Sequence, residues 1–238
     1  MRFRNSRVSP HKLKGKGMAR MEKPKLMIAS KNYGSWSLRG WLLCKMAGLD
    51  FDEHVAASDD PSMRAELLLL SPSFLVPSLT NGSVKVWDTL AIAEYLNELF
   101  PDAGLLPQDV SARALCRSIS GEMHSGFINL RSALPMNIKG HYPGFKVFAG
   151  AQADVDRIVT IWRECLAASG GPYLFGAKPC LADAMYAPVC TRFLTYCVKL
   201  DPVCAAYCEA IMDMPHMREW IEGAMNEPDD VSELDVEF

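Results

Sequence analysis

The sequence lacks long apolar runs and metal-ligand spacings. No window approaches the about 18 consecutive apolar residues of a membrane-spanning helix, and the longest candidates are short runs such as residues 67–70. The chain has no CxxC pair, and none of its five histidines stands at ligand spacing from its eight cysteines. We therefore expect neither a membrane span nor a metal site. The 238 residues, 49% of them hydrophobic, are enough to form one large or two small cores.

Acidic residues are nearly absent from positions 1–25, which carry nine basic side chains and only Glu22, a net charge of +8. Residues 26–238 carry 16 basic and 27 acidic side chains, a net charge of −11. Because an acidic body repels phosphates, we expect no nucleic-acid partner. The basic segment lacks the apolar stretch of a secretory signal. Its composition permits a transit peptide, but the simpler interpretation is a start upstream of Met18 or Met21.

The cysteine pattern indicates reduced thiols. Cys190, Cys197 and Cys204 recur every seven residues in apolar surroundings, as small hydrophobic residues do on one face of a helix. We therefore expect buried, reduced thiols rather than disulfides. Reduced thiols point to a reducing compartment, and we expect a cytoplasmic protein.

Strand and helix patterns alternate through the N-terminal part of the chain. Ser37 can cap the first helix and Gly48 can end it, while Asn81-Gly82-Ser83 is a strong hairpin signal. The order βαβαββα predicts a small mixed sheet with helices on its faces and a right-handed crossover. The expected strands are residues 26–29, 51–55, 76–80 and 84–87, and the expected helices are residues 37–48, 61–70 and 90–100.

Beyond residue 101 no strand signal is convincing, and helical spacing dominates. The expected helical segments are residues 110–135, 151–169, 181–199, 203–212 and 217–225. We divide the chain into a disordered basic tail (1–24), an α/β domain (25–101), a linker (102–108), an all-helical domain (109–226) and a frayed acidic tail (227–238).

Three segments in this order resemble the landmarks of cytosolic glutathione S-transferases. They are Lys-Asn-Tyr-Gly-Ser-Trp-Ser-Leu-Arg at 31–39, Ser-Pro-Ser-Phe-Leu-Val-Pro-Ser-Leu at 71–79 and Trp-Asp-Thr-Leu-Ala-Ile-Ala-Glu-Tyr-Leu at 87–96. The resemblance covers residues 26–225 and is strongest to bacterial members with a serine-type site, near the zeta and theta classes. It implies a thioredoxin-like N-terminal domain, an all-α C-terminal domain, glutathione bound between them as co-substrate, and a twofold homodimer.

Glutathione carries two carboxylates, an amine and a thiol, so its site needs anion donors and a backbone edge. The Thr89 hydroxyl and amide, at the start of a helix, can hold the γ-glutamyl carboxylate while Asp88 pairs with the ammonium; Asp88 can also be a plain N-cap. In the family the proline that matches Pro77 is cis, which leaves the backbone of Val76 free to pair with the cysteinyl backbone. Phe74 stands where the family usually has Gly.

The catalytic question is what stabilises the glutathione thiolate. A thiol of pKa near 8.5 is only about 3% ionised at pH 7, and a pKa near 6.5 makes it about three-quarters ionised. One charge-assisted hydrogen bond of about 1.5–3 kcal/mol suffices for most of that change. In similar theta-type sequences the serine stands four residues before the arginine, so the resemblance makes Ser35 our first candidate donor. Ser37, which is better placed as the helix cap, is the second. Tyr33 and backbone amides remain as further alternatives.

Departures from the family pattern limit the classes of glutathione S-transferase that this sequence resembles. Gly34 stands where zeta proteins carry a second serine and Trp36 where they carry a cysteine, which weakens an assignment to the zeta isomerases. Since Cys44 falls two turns inside the first helix, no thiol precedes that helix, and a thiol–disulfide exchange mechanism is disfavoured.

The second domain should wall the pocket for the electrophile. We expect His124, with Tyr33 and Trp36, to line it, whereas an interior structural role for His124 stays open. Other conspicuous side chains have structural interpretations: Arg39 pairs with an acid or caps carbonyls, Trp162 and Tyr186 lie in the core, and Cys180 replaces a Ser or Thr helix cap.

The predicted function is glutathione transfer, in which the serine-assisted thiolate attacks a hydrophobic electrophile. Two alternatives remain. The same thiolate could catalyse a cis–trans isomerisation of the maleylacetoacetate type, or the fold could be a non-catalytic glutathione-binding or partner module.

Overall fold

The computed structural model describes residues 22–55 and 76–228. The helix expected at 61–70, Phe74 and nearly all of the basic tail lie outside these residues. The strands are β1 (Lys25–Ile28), β2 (Asp52–Val55), β3 (Ser78–Asn81) and β4 (Val84–Trp87). The helices are α1 (Ser35–Met46), α2 (Thr89–Leu99), α3 (Val110–Ser125), α4 (Ile128–Ala133), α5 (Ala149–Ser169), α6 (Leu181–Thr195), α7 (Pro202–Met212) and α8 (Pro215–Met225), with a 3-10 turn at Pro101–Ala103.

The four strands form one mixed sheet in the order β2-β1-β3-β4, with β1 parallel to β2 and antiparallel to β3. The β3–β4 hairpin closes through Gly82-Ser83, and Gly82 supplies a positive φ of 60°. Leu26, Ile28 and Leu79 are fully buried in the domain core. This is the predicted thioredoxin-like arrangement, and the described elements follow the predicted order.

Helix α1 begins earlier than expected. It starts at Ser35 with Gly34 as N-cap, so the prediction that Ser37 caps it is wrong. The Ser37 hydroxyl instead accepts a hydrogen bond from the N–H of Ala29 at 2.8 Å, which ties the first turn of α1 to the end of β1. At the other end Gly48 follows the C-cap residue with a φ of 76°, as a glycine after a helix commonly does.

The C-terminal half is helical, as predicted, but two of its expected helices differ from the prediction by more than two residues. The expected helix 110–135 is split into α3 and α4 by Gly126 and Phe127, where Phe127 takes a φ of 61°. Helix α6 ends at Thr195, so Cys197 lies beyond it with a φ of 51° and is exposed. The prediction of a buried thiol is therefore wrong for Cys197, whereas Cys190 and Cys204 are fully buried.

Helix α6 forms the centre of the molecule and contacts α1, α3 and α7. Its start is held by Asp183, which accepts hydrogen bonds from the N–H groups of Cys180 at 2.8 Å and Leu174 at 3.0 Å. Cys180 takes the N-cap position, as predicted. Trp162 and Tyr186 are fully buried and contact each other edge to face, which confirms their place in the core.

Candidate functional site

The starts of α1 and α2 meet the end of α3. Trp36 lies in the first turn of α1, Asp88 is the N-cap of α2, and His124 lies in the last turn of α3. The His124 Nε2 is 2.5 Å from the Asp88 Oδ2, and its ring contacts Trp36 edge to face with a centroid distance of 5.0 Å. A helix N-terminus carries free N–H groups and a partial positive charge, so two anion-attracting helix ends converge beside one imidazole.

Asp88 caps the start of α2, and Thr89 is the first residue of that helix. The Asp88 Oδ1 accepts hydrogen bonds from the N–H groups of Leu90 at 2.8 Å and Ala91 at 3.4 Å, which makes it the N-cap. Asp88 adopts a φ of 74°, which is uncommon outside Asn, Asp and Gly. The Thr89 Oγ1 is buried and has no hydrogen-bond partner among the described residues. A buried hydroxyl without a partner is costly unless a ligand supplies one.

Trp36 is held between two guanidinium groups. The Cζ of Arg39 lies 4.5 Å from the centroid of its ring, and the Cζ of Arg131 lies 4.6 Å from it. Arg131 also donates hydrogen bonds to the carbonyls of Met123 and Gly126 at the end of α3. Trp36 and Arg131 therefore join α1 to the helical domain. Sequence reasoning missed Arg131, because nothing in the local pattern pairs it with a tryptophan 95 positions earlier in the chain.

The two candidate serines differ in their surroundings, although each is only 1% exposed. Ser35 is the first residue of α1, and its Oγ accepts a hydrogen bond from the Arg39 Nη1 at 3.3 Å. The Oγ of Ser37 faces β1 through its bond to Ala29. Arg39 also donates from Nε to the carbonyl of Met185 at 2.9 Å, which fits the expected carbonyl-capping role.

The Val76–Pro77 peptide bond is cis, as the family resemblance implied for this position. Pro77 packs directly against α1 at Gly40. A Cβ at Gly40 would stand 2.5 Å from the Pro77 Cγ and 2.7 Å from its Cβ. Only glycine therefore allows α1 and this proline to approach so closely.

Tyr33 is half-buried in the loop before α1, and its N–H donates to the Ser30 Oγ at 3.3 Å. Among the described residues its ring makes no aromatic contact with Trp36 or His124. Of the three predicted pocket residues, Trp36 and His124 contact each other, and among the described residues Tyr33 has no part in that contact.

The loop before α1 is held by a residue that sequence reasoning assigned to the frayed tail. The Glu227 carboxylate accepts hydrogen bonds from the N–H groups of Lys31 at 2.6 Å and Asn32 at 3.0 Å and from the Ser30 hydroxyl at 2.7 Å. The expectation of a frayed end is therefore wrong at Glu227. No sequence signal joins this residue to a loop nearly 200 positions earlier.

The thiol inside α1 is a poor nucleophile. Burial raises the pKa of Cys44 in α1 to about 12, so this thiol stays protonated at neutral pH. Over residues 22–55 and 76–228 there is no group of three or more His, Cys, Asp or Glu residues arranged to hold a metal ion. The same part of the chain has no helix long and apolar enough to cross a membrane.

Comparison with known proteins assigns both halves of the chain. The glutathione S-transferase N-terminal domain family matches residues 33–99, and the glutathione S-transferase C-terminal domain family matches residues 145–223, together more than half of the chain. Glutathione S-transferase 1 of Dianthus caryophyllus is 29% identical, over 72% of this chain and 78% of that protein. The maleylacetoacetate isomerase of Rattus norvegicus is 28% identical, over 76% and 82%.

A solved structure gives the same fold. The crystal structure of a glutathione transferase homologue from Burkholderia with bound glutathione superposes with a TM-score of 0.65 at 21% identity, covering 87% of this chain and all of that one. The relatives are named as transferases and isomerases, which agrees with the prediction of an enzyme. The chain belongs to the glutathione S-transferase family.

Proposed function

We propose that this protein is a glutathione transferase in which the Ser35 hydroxyl stabilises the glutathione thiolate, and the thiolate attacks a hydrophobic electrophile. The observation that carries the proposal is the contact chain from Trp36 through His124 to Asp88, because it brings the start of α1 and the start of α2 to one place. A ligand with an anionic sulfur and a carboxylate matches two neighbouring helix N-termini.

The γ-glutamyl end of glutathione is assigned to the start of α2. Its carboxylate would accept from the N–H and the unpartnered hydroxyl of Thr89, and its ammonium would pair with Asp88. The cysteinyl backbone would pair with Val76, beside Pro77.

Ser35 is favoured over Ser37 as the sulfur's partner. The Ser37 oxygen accepts from the N–H of Ala29 just after β1, whereas the Ser35 oxygen lies at the entry of α1 and accepts from the Arg39 guanidinium. Since Ser35 is 1% exposed, the sulfur reaches its hydroxyl only if a neighbouring side chain moves aside. Trp36 and His124, which are half-buried, would then face the electrophile.

The test is the conjugation of model electrophiles, measured by the disappearance of free glutathione. Wild-type protein should consume glutathione, and Ser35→Ala should be slower by tenfold or more, about 1.4 kcal/mol in the barrier. Equal rates in the two proteins would refute the serine mechanism. Tight glutathione binding without turnover of any electrophile would favour the non-catalytic module instead.

Isomerisation is a second candidate, favoured by the similarity to the rat maleylacetoacetate isomerase. In that reaction the thiolate adds to a double bond and is released after rotation, so glutathione is regenerated. Turnover of a cis-enedioic acid without loss of glutathione would assign this activity, and net loss of glutathione would assign conjugation.

We further propose that the protein acts as a homodimer in the cytoplasm. Its eight cysteines are all free, which suits a reducing compartment. Large apolar side chains are exposed on neighbouring elements, Val84 and Trp87 on β4, Leu99 on α2 and Leu115 on α3, and a second copy would cover them. Elution from gel filtration at the mass of one 26.4 kDa chain would refute the dimer.

A further inference from the structure

The carboxylate of Glu227 binds the loop between β1 and α1 through three donors. Its Oε1 accepts from the Lys31 N–H at 2.6 Å, and its Oε2 accepts from the Asn32 N–H at 3.0 Å and the Ser30 hydroxyl at 2.7 Å. Consecutive backbone N–H groups that converge on one point form an anion-binding nest. Hydrogen bonds to a charged acceptor are about twice as strong as neutral ones, so this contact is among the strong ones in the loop.

The contact is transmitted to the start of α1 by Ser30. Its Oγ also accepts from the N–H groups of Asn32 at 3.1 Å and Tyr33 at 3.3 Å, and its carbonyl accepts from the N–H of Gly34 at 2.8 Å. Gly34 is the N-cap residue that directly precedes Ser35. The position of the Ser30 side chain therefore fixes the turn that sets where the Ser35 hydroxyl stands.

Glu227 is itself fixed by the helical domain. It follows α8, whose Trp220 donates from Nε1 to the Lys31 carbonyl at 2.9 Å, and its own backbone carbonyl accepts from the Lys139 Nζ. A Cβ at Gly223 would lie 2.7 Å from the Lys31 Cδ, so α8 packs closely against the same loop. The packing of α8 against the loop and the contact with Lys139 therefore hold the Glu227 carboxylate in place beside the loop.

We propose that Glu227 is a positioning residue for the Ser35 hydroxyl, acting through Ser30 and the N–H groups of Lys31 and Asn32. The inference rests on the proposed function, since it requires that Ser35 interact with the glutathione sulfur. Loss of the carboxylate frees the turn before α1 and moves the hydroxyl off the sulfur. The affinity for the glutathione backbone, which we assign to Val76 and the start of α2, is left largely intact.

The test compares Glu227→Ala and Glu227→Gln with Glu222→Gln. Glu222 is exposed on α8, and its side chain has no hydrogen bond or ion pair to the rest of residues 22–55 and 76–228. We expect both Glu227 variants to lose kcat by about tenfold, the size of one lost charge-assisted hydrogen bond, with a much smaller change in the KM for glutathione. The ultraviolet absorbance of the bound thiolate should appear at a higher pH in these variants. Added acetate should partly restore the kcat of Glu227→Ala.

Backbone amide exchange supplies a readout that needs no catalysis. The amides of Lys31 and Asn32 should exchange faster in Glu227→Ala, while amides of the buried α6 keep wild-type rates and so show that the fold is intact. Activity and thiolate ionisation equal to those of Glu222→Gln would overturn the positioning role. Unchanged exchange at Lys31 and Asn32 would overturn the clamp itself. An inactive wild type would instead refute the proposed function, and the amide exchange would still decide whether Glu227 holds the loop.

Discussion

The Asp88 carboxylate lies 2.5 Å from the Nε2 of His124, so the N-cap of α2 is also in contact with the last turn of α3. The Oδ1 of Asp88 caps α2, and its Oδ2 contacts the imidazole of His124. This division allows the capping role and the charge to be tested separately.

Asp88→Asn should weaken glutathione binding by about tenfold or more while changing the melting temperature little. Asn caps helices as well as Asp does and tolerates a positive φ, but it removes the charge that would pair with the ligand ammonium. Asp109→Asn is the matched control, because Asp109 is the N-cap of α3 and its Oδ2 accepts from the Ala112 N–H at 2.8 Å. Calorimetric titration with glutathione measures the difference. Equal affinities in the two variants would contradict the role of Asp88.

Gly40→Ala should destabilise the protein and impair glutathione binding, because the added methyl group meets the Pro77 ring at 2.5 Å. Overpacking of this kind costs about 1–3 kcal/mol. Gly121→Ala in α3 is the control: a Cβ there meets nothing within 4 Å, so we expect no loss and a gain of up to about 1 kcal/mol. Urea denaturation gives both free energies of unfolding. A Gly40→Ala protein as stable as Gly121→Ala would refute the close packing of α1 on Pro77.

Trp36→Ala should lower the free energy of unfolding by at least about 2 kcal/mol, because the indole packs between the guanidinium groups of Arg39 and Arg131. Trp36→Phe keeps a ring between the two cations and should lose less than about 1.5 kcal/mol. If Trp36 faces the electrophile, Trp36→Ala also raises the KM for the electrophile more than the KM for glutathione. Similar free energies for the Ala and Phe variants would show that the stacking contributes little.

Stability should fall as the pH rises above about 9, because thiols that ionise in the unfolded chain stay protonated in the folded one. Burial raises the pKa of Cys44 to about 12 and of Cys165 to about 11 from an ordinary value of 9.0. The folded state therefore binds more protons in the window between these values, and its stability decreases with pH there. Cys44→Ala should show a shallower decline above pH 9 in urea denaturation. Parallel curves for the two proteins across that window would contradict the raised pKa of Cys44.

The sequence predicted most of the fold because local rules set it. The hairpin at Gly82-Ser83 and the cap at Asp88 depend on residues within four positions, so turn and cap chemistry located them. The start of α1 was misplaced because two serines compete there, and tertiary structure assigns Ser37 to Ala29 rather than to the helix cap. The break at Phe127 was missed because a positive φ at a phenylalanine has no sequence signal.

Residues of the candidate site could be predicted from the sequence only where a family motif coincides with the start of a helix. Asp88 and Thr89 follow from their place at a helix start, and Ser35 follows from the family resemblance, whereas Arg131 and Glu227 reach the site from distant parts of the chain. Contacts between residues so far apart depend on how α4 and the end of α8 pack against the first domain. The spacing of apolar residues along the sequence carries no information about that packing.

The role of Ser35 is tested most directly by the pH titration of glutathione bound to wild-type protein, Ser35→Ala and Ser37→Ala, read from the ultraviolet absorbance of the thiolate. We expect wild type and Ser37→Ala to ionise the bound thiol well below its ordinary pKa of about 8.5, and Ser35→Ala to return the pKa most of the way to that value. A bound thiolate that forms at the same pH in Ser35→Ala as in wild type would contradict the assignment of Ser35.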